Sequence, residues 1–104
     1  RIWVADAYNN RIQVFDKQGS FVQMIGQDQK MNAATGLWVT DNEVFITDFE
    51  HKRVLVFDHE GLLKQELKKG IDKATDLLIK DGELHIINYR KGELVLYDAQ
   101  EIER

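Results

Sequence analysis

One pattern written three times constrains this chain more than any other property. "IWVADAYNNRIQVFDKQGSF" begins at Ile2, "VFITDFEHKRVLVFDHEGLL" at Val44 and "LHIINYRKGELVLYDAQEIE" at Leu84, at offsets of 42 and then 40 residues. In this register Asp6, Asp48 and Asn88 correspond, as do Ile12, Val54 and Leu94, then Phe15, Phe57 and Tyr97, and finally Asp16, Asp58 and Asp98. A second comparison needs no gap: "ATGLWVTDNEVFITD" from Ala34 lies over "ATDLLIKDGELHIIN" from Ala74. It adds a strand in front of the shared stretch. Repetition at this period marks a unit that buries its apolar surface by stacking on copies of itself.

Each complete unit reads as four short strands, in the second copy Leu37 to Thr40, Glu43 to Asp48, Arg53 to Asp58 and Leu62 to Leu67. The turns between them carry the residues their geometry requires. Asp41-Asn42 and Asp81-Gly82 separate the first and second strands, where a two-residue hairpin selects residues that tolerate positive φ. Gly19 and Gly61 stand where a slightly longer hairpin needs one left-handed residue. No segment shows the sustained 3.6-residue period of a helix. "IWVA", "VFIT" and "LHII" are almost continuously apolar instead of alternating, which fits strands covered on both faces.

Four strands per repeat is the blade of a β-propeller. The expected fold is all-β, a partial β-propeller of four-stranded antiparallel blades forming one domain over residues 1–104. Its repeats span residues 1–26, lacking the first strand, then 34–68 and 74–104. Propellers close with about 4 to 8 blades, so this chain is not expected to close a ring alone. Two apolar blade faces are then left for a partner, either the rest of its own propeller or another protein. The missing first strand and any targeting signal are expected outside this stretch.

Composition removes several classes of function. With 18 acidic and 14 basic side chains the net charge is -4, which disfavours the clustered positive surface that nucleic acid requires. Cysteine is absent, so the chain has no disulfide, thiolate zinc site or cysteine nucleophile. No apolar run approaches the roughly 20 residues of a transmembrane helix. The glycines are scattered as turn punctuation and form no phosphate-binding loop. Ser20, the only serine, has no nearby acid and histidine to activate it.

The loops joining second and third strands, together with the connectors between blades, open on one end of a propeller. Candidate binding residues there are Tyr8, Asn9 and Asn10 in the first copy, Glu50 and His51 in the second, and Tyr89 and Arg90 in the third. Asp6 with Arg11, and Asp48 with Arg53, bracket four-residue loops and are read as structural ion pairs across the hairpin base. No catalytic residue is assigned. His51 and His59 fall at opposite ends of a blade, so they should not share a metal ion, and His85 is expected to be packed in its strand. No metal site is assigned and no cofactor is expected; a calcium ion in the central channel is left open. Trp3, Trp38, Phe15, Phe45, Phe57 and Tyr97 are expected to fill the wedges between blades.

The stretch "IWVADAYNNRIQVFDKQGSFVQMIG" resembles the NHL repeat. That pattern has an apolar strand ending in Asp, a polar Asn-Arg turn, a strand ending in Phe-Asp, and a Gly-containing turn. The resemblance covers nearly the whole chain, although Asn88, Glu93 and Glu101 depart from it in the third copy. It implies a propeller, commonly of about six blades, that serves as a non-enzymatic interaction or scaffold module binding a protein or polar ligand at its loop face. "VTDNEVFITD" also has some likeness to gluconolactonase-type and amidating-lyase propellers, making a fragment of a metal-dependent hydrolase or lyase the alternative. Single-stranded RNA binding is the second alternative, as implied by some animal NHL proteins. The resemblance and the lack of cysteine together suggest a bacterial extracytoplasmic setting.

Overall fold

The computed structural model describes residues 1–98. Ten strands form three antiparallel sheets. The first contains β1 (Ile2–Asp6), β2 (Arg11–Phe15) and β3 (Phe21–Ile25). The second runs β4 (Ala34–Val39), β5 (Val44–Asp48), β6 (Arg53–Phe57) and β7 (Leu63–Leu67). The third contains β8 (Ala74–Lys80), β9 (Glu83–Asn88) and β10 (Glu93–Tyr97). Within each sheet successive strands are hydrogen-bonded neighbours, and the sheets do not close into a ring. This is a partial β-propeller. The fourth strand expected for the third repeat, and Glu101, fall outside the described residues.

Burial follows directly from the stacking. Both faces of the central blade are covered, so every residue of β5 is buried. Val44, Ile46, Leu55 and Phe57 join Ile12, Val14 and Ile25 in a core between the first and second blades. Phe45, Val54 and Val56 join Leu77, Leu84, Ile86 and Tyr97 in a core between the second and third. Each of the large side chains stabilises the stack by about 1.5–3 kcal/mol through the apolar surface it removes from water. Continuous apolarity in "VFIT" therefore reflects two interfaces sharing one strand.

The outer blades show what happens when one interface is open. Ile2 and Val4, repeat equivalents of the buried Val44 and Ile46, are 48% and 41% exposed. Leu94 and Leu96, equivalents of the buried Val54 and Val56, are 58% and 49% exposed. His85 is half-buried on that same open face, beside Leu78, Ile87 and Leu94, and is not enclosed. Trp38 also differs from expectation: it is substantially exposed. Phe45, Phe57 and Tyr97 are buried in the wedges as expected.

Turn chemistry is partly as anticipated. Asp81 and Gly82 both have positive φ, at 53° and 79°, as a type I′ hairpin demands. The Asp41-Asn42 turn does not use positive φ. It is closed instead by Thr40, whose Oγ1 accepts the Glu43 N–H at 3.0 Å while its own N–H donates to the Glu43 carbonyl at 2.9 Å. Gly19 and Gly61 take φ values of 85° and 93°. Beside them the repeated aspartates act as knots: Asp16 Oδ1 accepts the N–H groups of Gln18 and Ser20, and Asp58 Oδ1 those of Glu60 and Leu62, all at 2.9 Å.

Gly36 has a packing role. A Cβ there would lie 2.7 Å from the Asp76 Cα and 3.1 Å from the Thr75 carbonyl oxygen, so β4 approaches β8 more closely than any side chain allows. The register of β4 slips between Ala34 and Leu37 at this point. Buried Thr47 fills the irregularity, its Oγ1 accepting the Gly36 N–H at 2.6 Å and lying 2.7 Å from Thr35 Oγ1.

Candidate functional site

The loops after β1, β5 and β9 share one end of the stack with the connectors between blades. Each loop is short and held at its base by the cross-strand pair that precedes and follows it, Asp6 with Arg11, Asp48 with Arg53 and Asn88 with Glu93. Two of the loops, Ala7–Asn9 and Tyr89–Lys91, form a single 3-10 turn before a left-handed residue, Asn10 or Gly92. A third left-handed residue, Lys52, ends the loop of the central blade. This local geometry fixes where each candidate side chain goes.

Asp48 is the hub of the central loop. It is fully buried and accepts from Arg53 Nε at 2.7 Å, from the Asn32 backbone N–H at 2.7 Å, and lies 2.8 Å from His51 Nδ1. Burial of a carboxylate is tolerable only with such a set of donors. Arg53 extends the network to Glu66 Oε2 at 2.6 Å and to the Gln29 carbonyl at 2.8 Å. The Glu66 carboxyl is held below the usual carboxylate range, chiefly by its hydrogen bond from Arg53.

Asp6 makes the corresponding but more open arrangement. Asn9 Nδ2 donates to both of its oxygens, at 3.2 and 3.0 Å, and Arg11 Nε lies 3.2 Å from Oδ2. The Asn9 hydrogen bond is the main reason its carboxyl is held below the ordinary value. Asn9 and His51 therefore occupy one position in the repeat, and each supports the loop's aspartate. Asn88 substitutes for the aspartate in the third blade, accepting the Asp72 N–H at 2.9 Å and donating to the Gly70 carbonyl at 3.0 Å.

Other candidates stitch blades together. Asn10 Oδ1 accepts the Ala33 N–H at 2.8 Å, so the first loop grips the connector entering the second blade. Glu50 pairs with Lys73 at 3.1 Å, and Lys52 with Asp72 at 3.7 Å, so the second loop grips the connector entering the third. Tyr8, Tyr89 and Arg90 stand apart from these contacts at the loop tips. Tyr8 is 99% exposed and Tyr89 70% exposed.

The connector residues Asn32 and Asp72 carried no signal in the sequence, because their bonds to Asp48 and Asn88 use backbone N–H groups that any residue but proline supplies. Lys30 carried no signal either, and Lys68 reads in the sequence only as part of the basic stretch Lys64, Lys68, Lys69 and Lys73 at a solvated edge. Lys30 and Lys68 line a cleft of about 330 Å³ on the loop end with Gln29, His51, Arg53 and Glu66. His59 lies at the other end, its Nε2 at 2.8 Å from the Thr40 carbonyl and its ring 5.0 Å from that of Trp3. Among the described residues no group of three or more His, Cys, Asp or Glu is placed to hold a metal ion. No helix among them is long and apolar enough to cross a membrane.

The three-sheet stack is similar to the solved structure described as "Streptogramin B lyase structure", with a TM-score of 0.65 and 15% sequence identity over 92% of this chain. The likeness is one of fold, and the chain spans 36% of that protein's chain. No curated protein matches the sequence. The family model described as a 6-bladed beta-propeller, DUF5128, matches residues 1–104. With blades of the expected kind and a match along the whole chain, this protein belongs to the DUF5128 family of 6-bladed beta-propellers.

Proposed function

We propose that this chain is part of an NHL-type propeller that acts as a non-enzymatic interaction module, with its loop end as the binding face for a protein or polar ligand. The observation that carries the reading is the division of labour in equivalent loops. Asp6, Asp48 and Asn88 hold the loop bases, Asn10, Glu50 and Lys52 join blades, and Tyr8 and Tyr89 project into solvent. An exposed tyrosine on an anchored loop contributes a large contact surface with little conformational entropy to lose on binding. The two open blade faces are reserved in this reading for further blades of the propeller.

Site-specific photo-cross-linking in the full-length protein tests this. A photoreactive residue at position 8 or 89 should give discrete adducts in the producing cell, whereas one at Gln18, on the turns at the other end, should give none. Adducts confined to position 18, or equal at all three positions, would remove the loop end as the binding face.

A further inference from the structure

The cleft lined by Lys30, His51, Arg53, Glu66 and Lys68 has a chemistry that its structural contacts do not use up. Arg53 is engaged through each of its three side-chain nitrogens, as a strut between Asp48, Glu66 and the Gln29 carbonyl. Lys68 lies 3.6 Å from Glu66, a carboxylate it shares with Arg53. Lys30 has no ion pair among the described residues and is exposed at the cleft edge. Counting buried Asp48 beneath the floor, the cations here exceed the carboxylates.

His51 adds direction to that charge. Its Nδ1 lies 2.8 Å from Oδ2 of Asp48, an oxygen that also accepts from Arg53. A carboxylate in that position can only accept, so Nδ1 carries the proton. In the neutral ring Nε2 is then a hydrogen-bond acceptor, held in a fixed orientation on the cleft wall. An anion without an O–H group, such as sulfate, offers nothing for that nitrogen to accept. A ligand suited to the cleft needs a carboxylate for the lysines and a hydroxyl donor a short distance away.

We infer that this cleft binds a small hydroxycarboxylate of monosaccharide size, with its carboxylate between Lys30 and Lys68 and one hydroxyl donating to His51 Nε2. The volume of about 330 Å³ is at the lower end of the range for small-molecule sites. Glu66 is placed to accept a second hydroxyl. The assignment rests on the loop end being the binding face, and it names the ligand class for one part of that face.

The repeat itself supplies a clean variant. Asn9 holds the place of His51 in the first blade and still donates to its aspartate. His51→Asn should therefore keep the loop and lose only the acceptor at Nε2. Calorimetric titration of the full-length protein with glucuronate should show saturable binding, about tenfold weaker in His51→Asn and in Lys30→Gln. Methyl glucoside, lacking the carboxylate, should not bind, and sulfate, lacking a hydroxyl donor, should not displace glucuronate at equal concentration.

Failure of the parent protein to bind glucuronate overturns the inference, as does unchanged affinity in Lys30→Gln or displacement by sulfate at equal concentration. Lys30→Gln decides the matter if His51→Asn lowers the melting temperature. Cross-linking at positions 8 and 89 does not depend on this cleft. Adducts there without glucuronate binding would remove the ligand class and leave the loop-face reading intact.

Discussion

Asn32 and Asp48, one on the connector entering the central blade and the other at the end of its second strand, are joined by a 2.7 Å hydrogen bond from backbone N–H to Oδ1. The third blade repeats the relationship with Asp72 and Asn88 at 2.9 Å. In both, a side chain at the loop base fixes the segment that crosses between blades. The repeated aspartate is thus a clamp on blade stacking as well as half of an ion pair.

Replacing Asp48 with alanine should accordingly destabilise the protein by about 3–5 kcal/mol, since it leaves Arg53 short of a buried partner and the Asn32 N–H without an acceptor. Asp48→Asn should cost less than Asp48→Ala, because Asn88 serves the connector in the third blade with the same amide oxygen. Urea denaturation of the two variants gives the comparison. A midpoint unchanged in Asp48→Ala would show that the clamp does not hold the stack.

Acid should weaken the fold partly through Glu66. Its carboxyl lies below the usual value in the folded protein, mainly through the Arg53 hydrogen bond, so the unfolded chain takes up its proton first as pH falls. The stabilisation is complete above the ordinary value of 4.5 and is lost as pH drops through the lower folded value. Asp6 is shifted in the same direction and contributes with the same sign. Melting temperatures measured from neutral pH down to about pH 3 should fall less steeply for Glu66→Gln than for the parent. Parallel curves would mean that Glu66 is not part of the acid response.

The close contact of β4 with β8 makes Gly36 sensitive to a single methyl group. Gly36→Ala should destabilise by about 1–3 kcal/mol, because the clashing neighbours are backbone atoms that cannot rotate away. Thr47→Val keeps the shape but leaves the buried Gly36 N–H without its acceptor, for a loss of about 1–3 kcal/mol. Double substitution should cost less than the sum of the two, since both act on one irregularity in the strand. Strict additivity in thermal unfolding would count against a shared cause.

The open third blade should make the 104-residue chain associate. Leu94 and Leu96 expose apolar surface where their repeat equivalents Val54 and Val56 meet a neighbouring blade, and exposed Leu78 and Ile87 lie beside them. Sedimentation of this chain should show a mass that rises with concentration, and Leu94→Lys with Leu96→Lys should suppress the rise. Persistence of association in that double variant would place the contact elsewhere.

Much of the architecture was legible because a propeller is a repeat. Aligned copies exposed the blade, Asp81-Gly82 and the glycines after Asp16 and Asp58 announced their turns, and apolar runs marked strands between two interfaces. The Asp41-Asn42 turn was read with the wrong geometry, since the Thr40 side chain provides a local closure that composition alone does not reveal. Trp38 and His85 were placed too deep for another reason. Strand pattern tells which residues are apolar, and only the neighbouring blade decides whether they are covered.

The loop end divides in the same way. Register alone placed Asp6 opposite Arg11 and Asp48 opposite Arg53, because hairpin pairing is local and follows from loop length. The bonds from Asn32 to Asp48 and from Ala33 to Asn10, and the cleft lined by Lys30, His51 and Lys68, join residues from different blades or from a connector and a loop of one blade. The sequence by itself determined the unit, its strand order and its repeated turns, since these depend on short-range backbone chemistry. Which polar residues hold blades together and which stay exposed to solvent followed only from the tertiary structure, since that depends on atoms brought together when the blades stack.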